Sequence, residues 1–165
     1  MRNGELWKED KQGKRFIERA WRLISMTTAE RLKKADELHQ RGYNCAQSVA
    51  CAFADKTGVP ADVLFAANEG YGAGCGTMDG VCGALMGAVM LGSLKSSTRS
   101  LEAPNSKPAT MQLSRKLMKA FEDSAGALYC KDLKGVETGN VICTCPDCIR
   151  KACELAADIV YGDKD

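Results

Sequence analysis

The stretch GYNCAQSVACAF, residues 42–53, decides the fold. Gly42 ends the charged helical pattern before it. Asn44 is a good N-cap and Gln47, three positions on, completes a capping-box-like pair, starting a new helix with Cys45 at its first position. Behind that cap Ala46, Val49, Ala50 and Phe53 recur at helical spacing, and the helix is expected to run to about Lys56. A stop, a cap and a second apolar helix in one short stretch specify helices packed on helices.

Towards the N-terminus, residues 28–40 read as an amphipathic helix with Ala29, Leu32, Ala35 and Leu38 on its inner face, opened by the capping box Thr27-Thr-Ala-Glu30. Residues 14–25 place Phe16, Ile17, Ala20, Trp21 and Ile24 on one face of a basic helix. Residues 1–26 are therefore an amphipathic helical extension to which no function is assigned, and residues 27–163 are the cysteine-rich domain. Met26, directly before the capping box, competes with Met1 as the natural start.

Towards the C-terminus, Pro60 starts a short helix through Leu64 and Ala67, and a glycine-rich loop spans residues 70–80. Asp79 is expected to cap a buried helix over 80–94 and to put Cys82 in its first turn. Gly83 and Gly87, with Ala84 and Ala88, repeat a small-xxx-small spacing that lets a neighbouring helix approach closely, in the core first and in a homodimer second. A polar linker over 95–107 leads to a helix aligning Leu113, Leu117, Ala120 and Phe121, a turn at Tyr129-Cys130, and a last helix over about 146–161 aligning Ile149, Ala152, Cys153, Ala156 and Val160. No stretch alternates apolar and polar residues as a strand does. The expected fold is all-α: a single-domain bundle of about five core helices with a glycine-rich loop, plus the N-terminal basic helix.

Composition narrows the function. A chain of 165 residues with a net charge of +2 suits one domain and gives no electrostatic footprint for nucleic acid. The longest uncharged run after Asp79, from Gly80 to Leu94, is fifteen residues, short of the roughly 20 that span a bilayer. The opening residues, MRNGELWKEDKQGKRF, lack the apolar centre of a secretion signal, so the expected compartment is the cytoplasm. In a reducing compartment clustered cysteines bind metal or turn over more often than they form staples.

The chemistry rests on nine cysteines. Cys45, Cys82 and Cys145 each fall where the sequence starts a helix, Cys145 behind a cap at Thr144 with Pro146 in the first turn. A helix N-terminus carries roughly half a positive charge and unpaired N–H donors, which favour the thiolate that binds metals and attacks disulfides. The glycine loop fits no phosphate-binding pattern and instead lets the backbone come close to a bulky centre beside Cys75 and Cys82. Cys145-Pro-Asp-Cys148 has the CxxC spacing of dithiol oxidoreductases, although no strand precedes it. With His39 the only histidine, read as a surface residue, a zinc site would have to be all-thiolate. Cys51 and Cys153 read as core residues.

GYNCAQSV at 42–49, Cys82-Gly-Ala-Leu-Met-Gly87, Tyr129-Cys-Lys-Asp-Leu133 and Cys145-Pro-Asp-Cys-Ile-Arg-Lys-Ala152 together resemble the redox-active family named C_GCAxxG_C_C, over roughly residues 28–162. The resemblance implies that Cys45, Cys82, Cys130 and Cys145 are the signature cysteines; Cys143 and Cys148 flank the fourth, and either can stand in for it. A related domain of split-Soret cytochromes is associated with a [2Fe–2S] centre, which four thiolates commonly hold. The expectation is thus electron transfer on an iron–sulfur cluster with a redox partner protein or a small electron donor or acceptor. The alternatives are metal-free thiol–disulfide exchange at the CPDC cysteines, with Cys145 attacking and Cys148 or Cys45 resolving, and a structural zinc-binding module.

Overall fold

The computed structural model describes residues 26–163, and what the sequence implies for residues 1–25 lies outside them. The capping box opens α1 (Thr28–Gln40) as expected: the Thr27 hydroxyl accepts the Glu30 amide at 3.2 Å, and the Glu30 carboxylate accepts the Thr27 amide at 2.7 Å. The same device opens α2 (Cys45–Ala52), with reciprocal Asn44–Gln47 bonds of 2.9 and 3.0 Å.

Helix α2 stops earlier than its periodicity implies. At Phe53 the backbone leaves the helix (φ −109°, ψ 15°) and restarts as the single turn α3 (Ala54–Thr57). Arg31 supplies the physical reason. Its fully buried guanidinium donates to the Ala52 carbonyl at 2.9 Å, forks onto both oxygens of Asp55 at 2.8 Å each, and lies 4.7 Å from the centre of the Phe53 ring. A charge removed from water is costly unless its donors are paired; Nε of Arg31 has no partner among the described residues, and the break at Phe53 leaves the Ala52 carbonyl free to pair with Nη1. The inner face of α1 is Arg31, Ala35 and Leu38, with the expected Leu32 partly buried against the core, while the expected Ala29 is exposed.

Beyond α4 (Ala61–Asn68) the chain makes a 3-10 turn at Glu69–Tyr71 and a tight turn at Gly72–Cys75. It then forms α5 (Gly83–Ser96), α6 (Lys107–Ala125), the short α7 (Cys130–Lys134) and α8 (Cys145–Leu155), which widens into a π-type coil over Ala156–Tyr161. Among the described residues no strand forms; a single antiparallel bridge joins Val81 and Tyr129. The all-α expectation holds, and the five core helices are α1, α2, α5, α6 and α8.

Helices α2 and α5 are innermost. Every residue of α2 from Ala46 to Ala52 is buried, the mark of a helix enclosed on all sides. Its partner approaches through glycine: a Cβ on Gly87 would sit 2.7 Å from the Ala46 carbonyl oxygen. Around this pair pack Phe53, Leu85, Leu91, Leu117, Phe121 and Ile149, with Cys153 fully buried among them as its register predicts. Cys51 belongs to a smaller cluster with Leu38 and Leu64. None of the described helices is long and apolar enough to cross a membrane.

Candidate functional site

Four cysteines stand at the N-terminal ends of four different helices. Cys45, Cys130 and Cys145 are the first residues of α2, α7 and α8, and Cys82 is the N-cap residue of α5. Local chemistry sets two of these starts, through Asn44 before Cys45 and through Thr144, whose hydroxyl accepts the Asp147 amide at 3.3 Å, before Cys145.

The other two starts are set at long range. Residues 78–82 run beside residues 128–131: Cys82 N–H donates to Leu128 O at 2.8 Å, Cys130 N–H to Gly80 O at 2.9 Å and Lys131 N–H to Met78 O at 2.8 Å. This short pairing holds Cys82 and Cys130 side by side. Asp79, expected to cap the buried helix, instead pairs with Lys131 at 3.4 Å, and the helix begins at Gly83 rather than at residue 80.

The glycine-rich segment brings backbone against this group. Gly83 lies where a Cβ would be 2.5 Å from the Tyr71 carbonyl oxygen and 2.6 Å from Cys45 Sγ. Gly74 (φ +58°) faces Cys130, its would-be Cβ 2.9 Å from that residue's Cβ. The Asn44 side-chain amide donates to the Glu69 carbonyl at 2.8 Å, fastening the start of α2 to the same segment. The close approach expected beside Cys82 is therefore present, but Cys75 is exposed and stands at its rim.

Cys45 interacts electrostatically with Cys82 and Cys145, and Cys130 with Cys82, Cys45 and Cys145. Cys82 and Cys130 are buried, Cys45 is half-buried and Cys145 is exposed. Burial pushes the Cys45 thiol up, against the N–H groups of Ala73 and Ala46. Cys130 is pushed up to about 11 by burial and then by Cys82, and its thiol lies 3.6 Å from Met78 Sδ.

Cys82 is the exception. A hydrogen bond from Cys148 is the largest influence on it and, with the Leu85 and Ala84 amides and the Lys134 charge, holds its thiol at about 6 despite burial. The same bond pushes Cys148 up, since Cys148 keeps the shared proton. Lys134 is half-buried between these sulfurs, its ammonium 3.4 Å from Cys148 Sγ and 2.7 Å from the Cys143 carbonyl. Burial works against that ammonium, but Cys148, Cys145 and Cys82 outweigh it and raise its pKa.

Sequence reasoning missed Lys134 and the part played by Cys148. The i, i+4 spacing of Cys130 and Lys134, and the alignment of Cys148 with Ala152 on the buried face of α8, were the available signals. Cys143 is buried below Lys134 and offers its carbonyl. His39 is half-buried, with Nδ1 3.0 Å from the Tyr43 carbonyl, rather than simply exposed.

In chemistry the four signature thiols suit a thiolate-held group in that they come from separate segments with Lys134 beside them to offset negative charge; in the unloaded chain Cys82 is held towards the charged form, whereas burial raises Cys45 and Cys130. In geometry they are spread out, and among the described residues no group of three or more His, Cys, Asp or Glu is placed to hold a single metal ion. A two-iron cluster distributes four thiolates over two metals and so does not require them at one point.

A family model described as "Putative redox-active protein (C_GCAxxG_C_C)" matches residues 43–159. No curated protein and no solved structure matches the chain.

Proposed function

The chain belongs to the C_GCAxxG_C_C family, and from that premise we propose that it transfers electrons on a [2Fe–2S] cluster held by Cys45, Cys82, Cys130 and Cys145. The observation that carries this reading is that the four signature cysteines each stand at a helix N-terminus and that Cys45 and Cys130 each feel the charge of other members of the set. When bound, such a cluster takes up and returns an electron. The protein's own part is to stabilise the negative charge of the sulfurs. The Ala84 and Leu85 amides and Lys134 do so at Cys82, and the Ala73 and Ala46 amides at Cys45.

Buried Cys82 and Cys130 keep water from one side of the centre, and exposed Cys145 is the edge at which a redox partner protein or a small electron donor or acceptor approaches. Anaerobically purified protein should contain iron and acid-labile sulfide and absorb visible light. Colourless, iron-free protein after anaerobic preparation and reconstitution rejects the reading. Tightly bound zinc without sulfide makes the same four thiols a structural module.

Metal-free thiol–disulfide exchange at the CPDC segment is a second reading, favoured by the exposure of Cys145 at the start of α8 with Cys148 one turn on. Reversible cycling of that pair near cytosolic potentials, read by alkylation and mass spectrometry across redox buffers, separates it from the first.

A further inference from the structure

We propose that the apolar groove between α1 and α4 is the docking site of this chain's own residues 14–25, laid back along α1 as a further amphipathic helix. The inference rests on neither reading of the cysteine centre. Lys34 and Leu38, one turn apart on α1, form one wall of the groove, and Ala61 and Phe65, one turn apart on α4, form the other. Both helices pack on α2, and Cys51 of α2, 6% exposed, lies with Ala54 at the floor of a cavity of about 470 Å³. At the end away from the start of α1 the rings of Tyr43 and Phe65 meet edge-on, 4.8 Å apart.

The point where the chain leaves α1 identifies the occupant. Ala54 is followed by Asp55, whose carboxylate receives Arg31, one turn into α1, at 2.8 Å, so residues 26–27 stand at the open end of the groove. Thr27 is extended (φ −67°, ψ 164°), and the chain before it does not continue the axis of α1. From Thr28 to Leu38 a helix rises about 15 Å, and residues 14–25 wound as a helix cover about 18 Å, so the segment turned back at residues 26–27 reaches the full length of the groove.

Its chemistry matches the walls. Phe16, Ile17, Ala20, Trp21 and Ile24 fall on one helical face, the pattern with which an amphipathic helix fills a groove between two others. At the rim Asp62 is exposed and has no ion pair among the described residues, which leaves a carboxylate for a segment carrying Lys14, Arg15, Arg19 and Arg22. Lys34 on the facing wall suits Glu18, the acid within that segment. Docking adds a helix to the bundle and closes Cys51 from solvent.

Trp7 and Trp21 are the two tryptophans of the chain and both lie outside the described residues, so the full chain carrying Trp7→Phe has Trp21 as its single reporter. Its emission should be shifted to the blue, shielded from acrylamide and unchanged on dilution. Ala61→Arg, at an exposed position of the groove, should shift the emission to the red and remove the shielding while the far-ultraviolet circular dichroism keeps its shape. Ile17→Asp should do the same and raise the alkylation rate of Cys51 several-fold, read by peptide mass spectrometry. The proposal is overturned if Trp21 is open to quencher in the Trp7→Phe chain, or if its shielding survives Ala61→Arg. Should Ala61→Arg fail to fold, an unchanged Cys51 rate in Ile17→Asp overturns it alone. Shielding lost on dilution makes a second copy the occupant, and emission that moves to the blue only with phosphatidylglycerol vesicles makes the segment a membrane anchor; either result refutes docking within the chain.

Discussion

Replacing Gly83 by alanine tests whether the glycine-rich segment is a close-fitted wall of the centre or a flexible connection. The added Cβ would lie 2.5 Å from the Tyr71 carbonyl oxygen and 2.6 Å from Cys45 Sγ. The nearer atom belongs to the backbone, so it cannot simply rotate away. Alanine gains up to about 1 kcal/mol over glycine within a helix, but Gly83 is the first residue of α5, where that gain is smallest. Overpacking costs about 1–3 kcal/mol, so destabilisation should win. For a domain of this size each kcal/mol lowers the melting temperature by about 2–4 °C, giving a drop of about 2–12 °C.

The control is Gly70→Ala, where nothing lies within 4 Å of the new Cβ and which should change stability by no more than about 0.5 kcal/mol. Thermal unfolding followed by circular dichroism under reductant reads both, and the alkylation rate of Cys45 should rise in Gly83→Ala alone. If the two variants melt together and Cys45 reacts as before, the segment is a connector and the close approach has no energetic meaning.

Cys82, held at about 6 against an ordinary thiol value of about 8.5, is a group with a depressed pKa in the folded state. Its contribution to stability is full above about pH 8.5 and fades as pH falls through about 6; in Lys134→Met the ultraviolet thiolate titration should move to higher pH, and an unmoved midpoint would remove Lys134 from the site. Arg31 holds the Asp55 carboxyl below its usual range by hydrogen bonding and charge. Stability from that pair is present above about pH 4 and lost as pH falls through the depressed value, so Asp55→Asn should unfold more easily in urea at neutral pH while its deficit shrinks in acid. A deficit that is constant with pH refutes the pairing as its source. Cys153→Ala should cost roughly 1 kcal/mol and leave any iron and sulfide unchanged, whereas Cys45→Ser, Cys82→Ser or Cys130→Ser should lose them. Loss in Cys153→Ala with retention in Cys45→Ser would overturn the site assignment.

What could be read from the sequence is what neighbouring residues decide among themselves. Thr27 with Glu30, Asn44 with Gln47 and Thr144 ahead of Cys145 satisfy helix-end amides within three residues, and all three starts are where those residues imply. Asp79 has the same local credentials and does not cap, because residues 78–82 are held by amides and carbonyls of residues 128–131, a competition invisible to any short window. The early end of α2 has the same origin: Arg31, 21 positions from Ala52, needs a carbonyl more than Phe53 needs another helical turn.

The site divides along the same line. That Cys45 and Cys145 begin helices is a local fact, and the structure has it; Cys82 also begins one, but through the pairing of residues 78–82 with residues 128–131. That Cys148 meets Cys82 depends on how α8 lies against α5, and the CPDC spacing drew attention to the partner within the motif instead of the one across the core. Proton sharing then makes the difference between two buried thiols. Burial alone raises both, and only the bond between them, with Lys134 and two amides on one side, splits them into a thiolate at Cys82 and a proton donor at Cys148. The reactive identity of these cysteines is therefore a property of the pair, and a substitution at either sulfur should change the chemistry of the other.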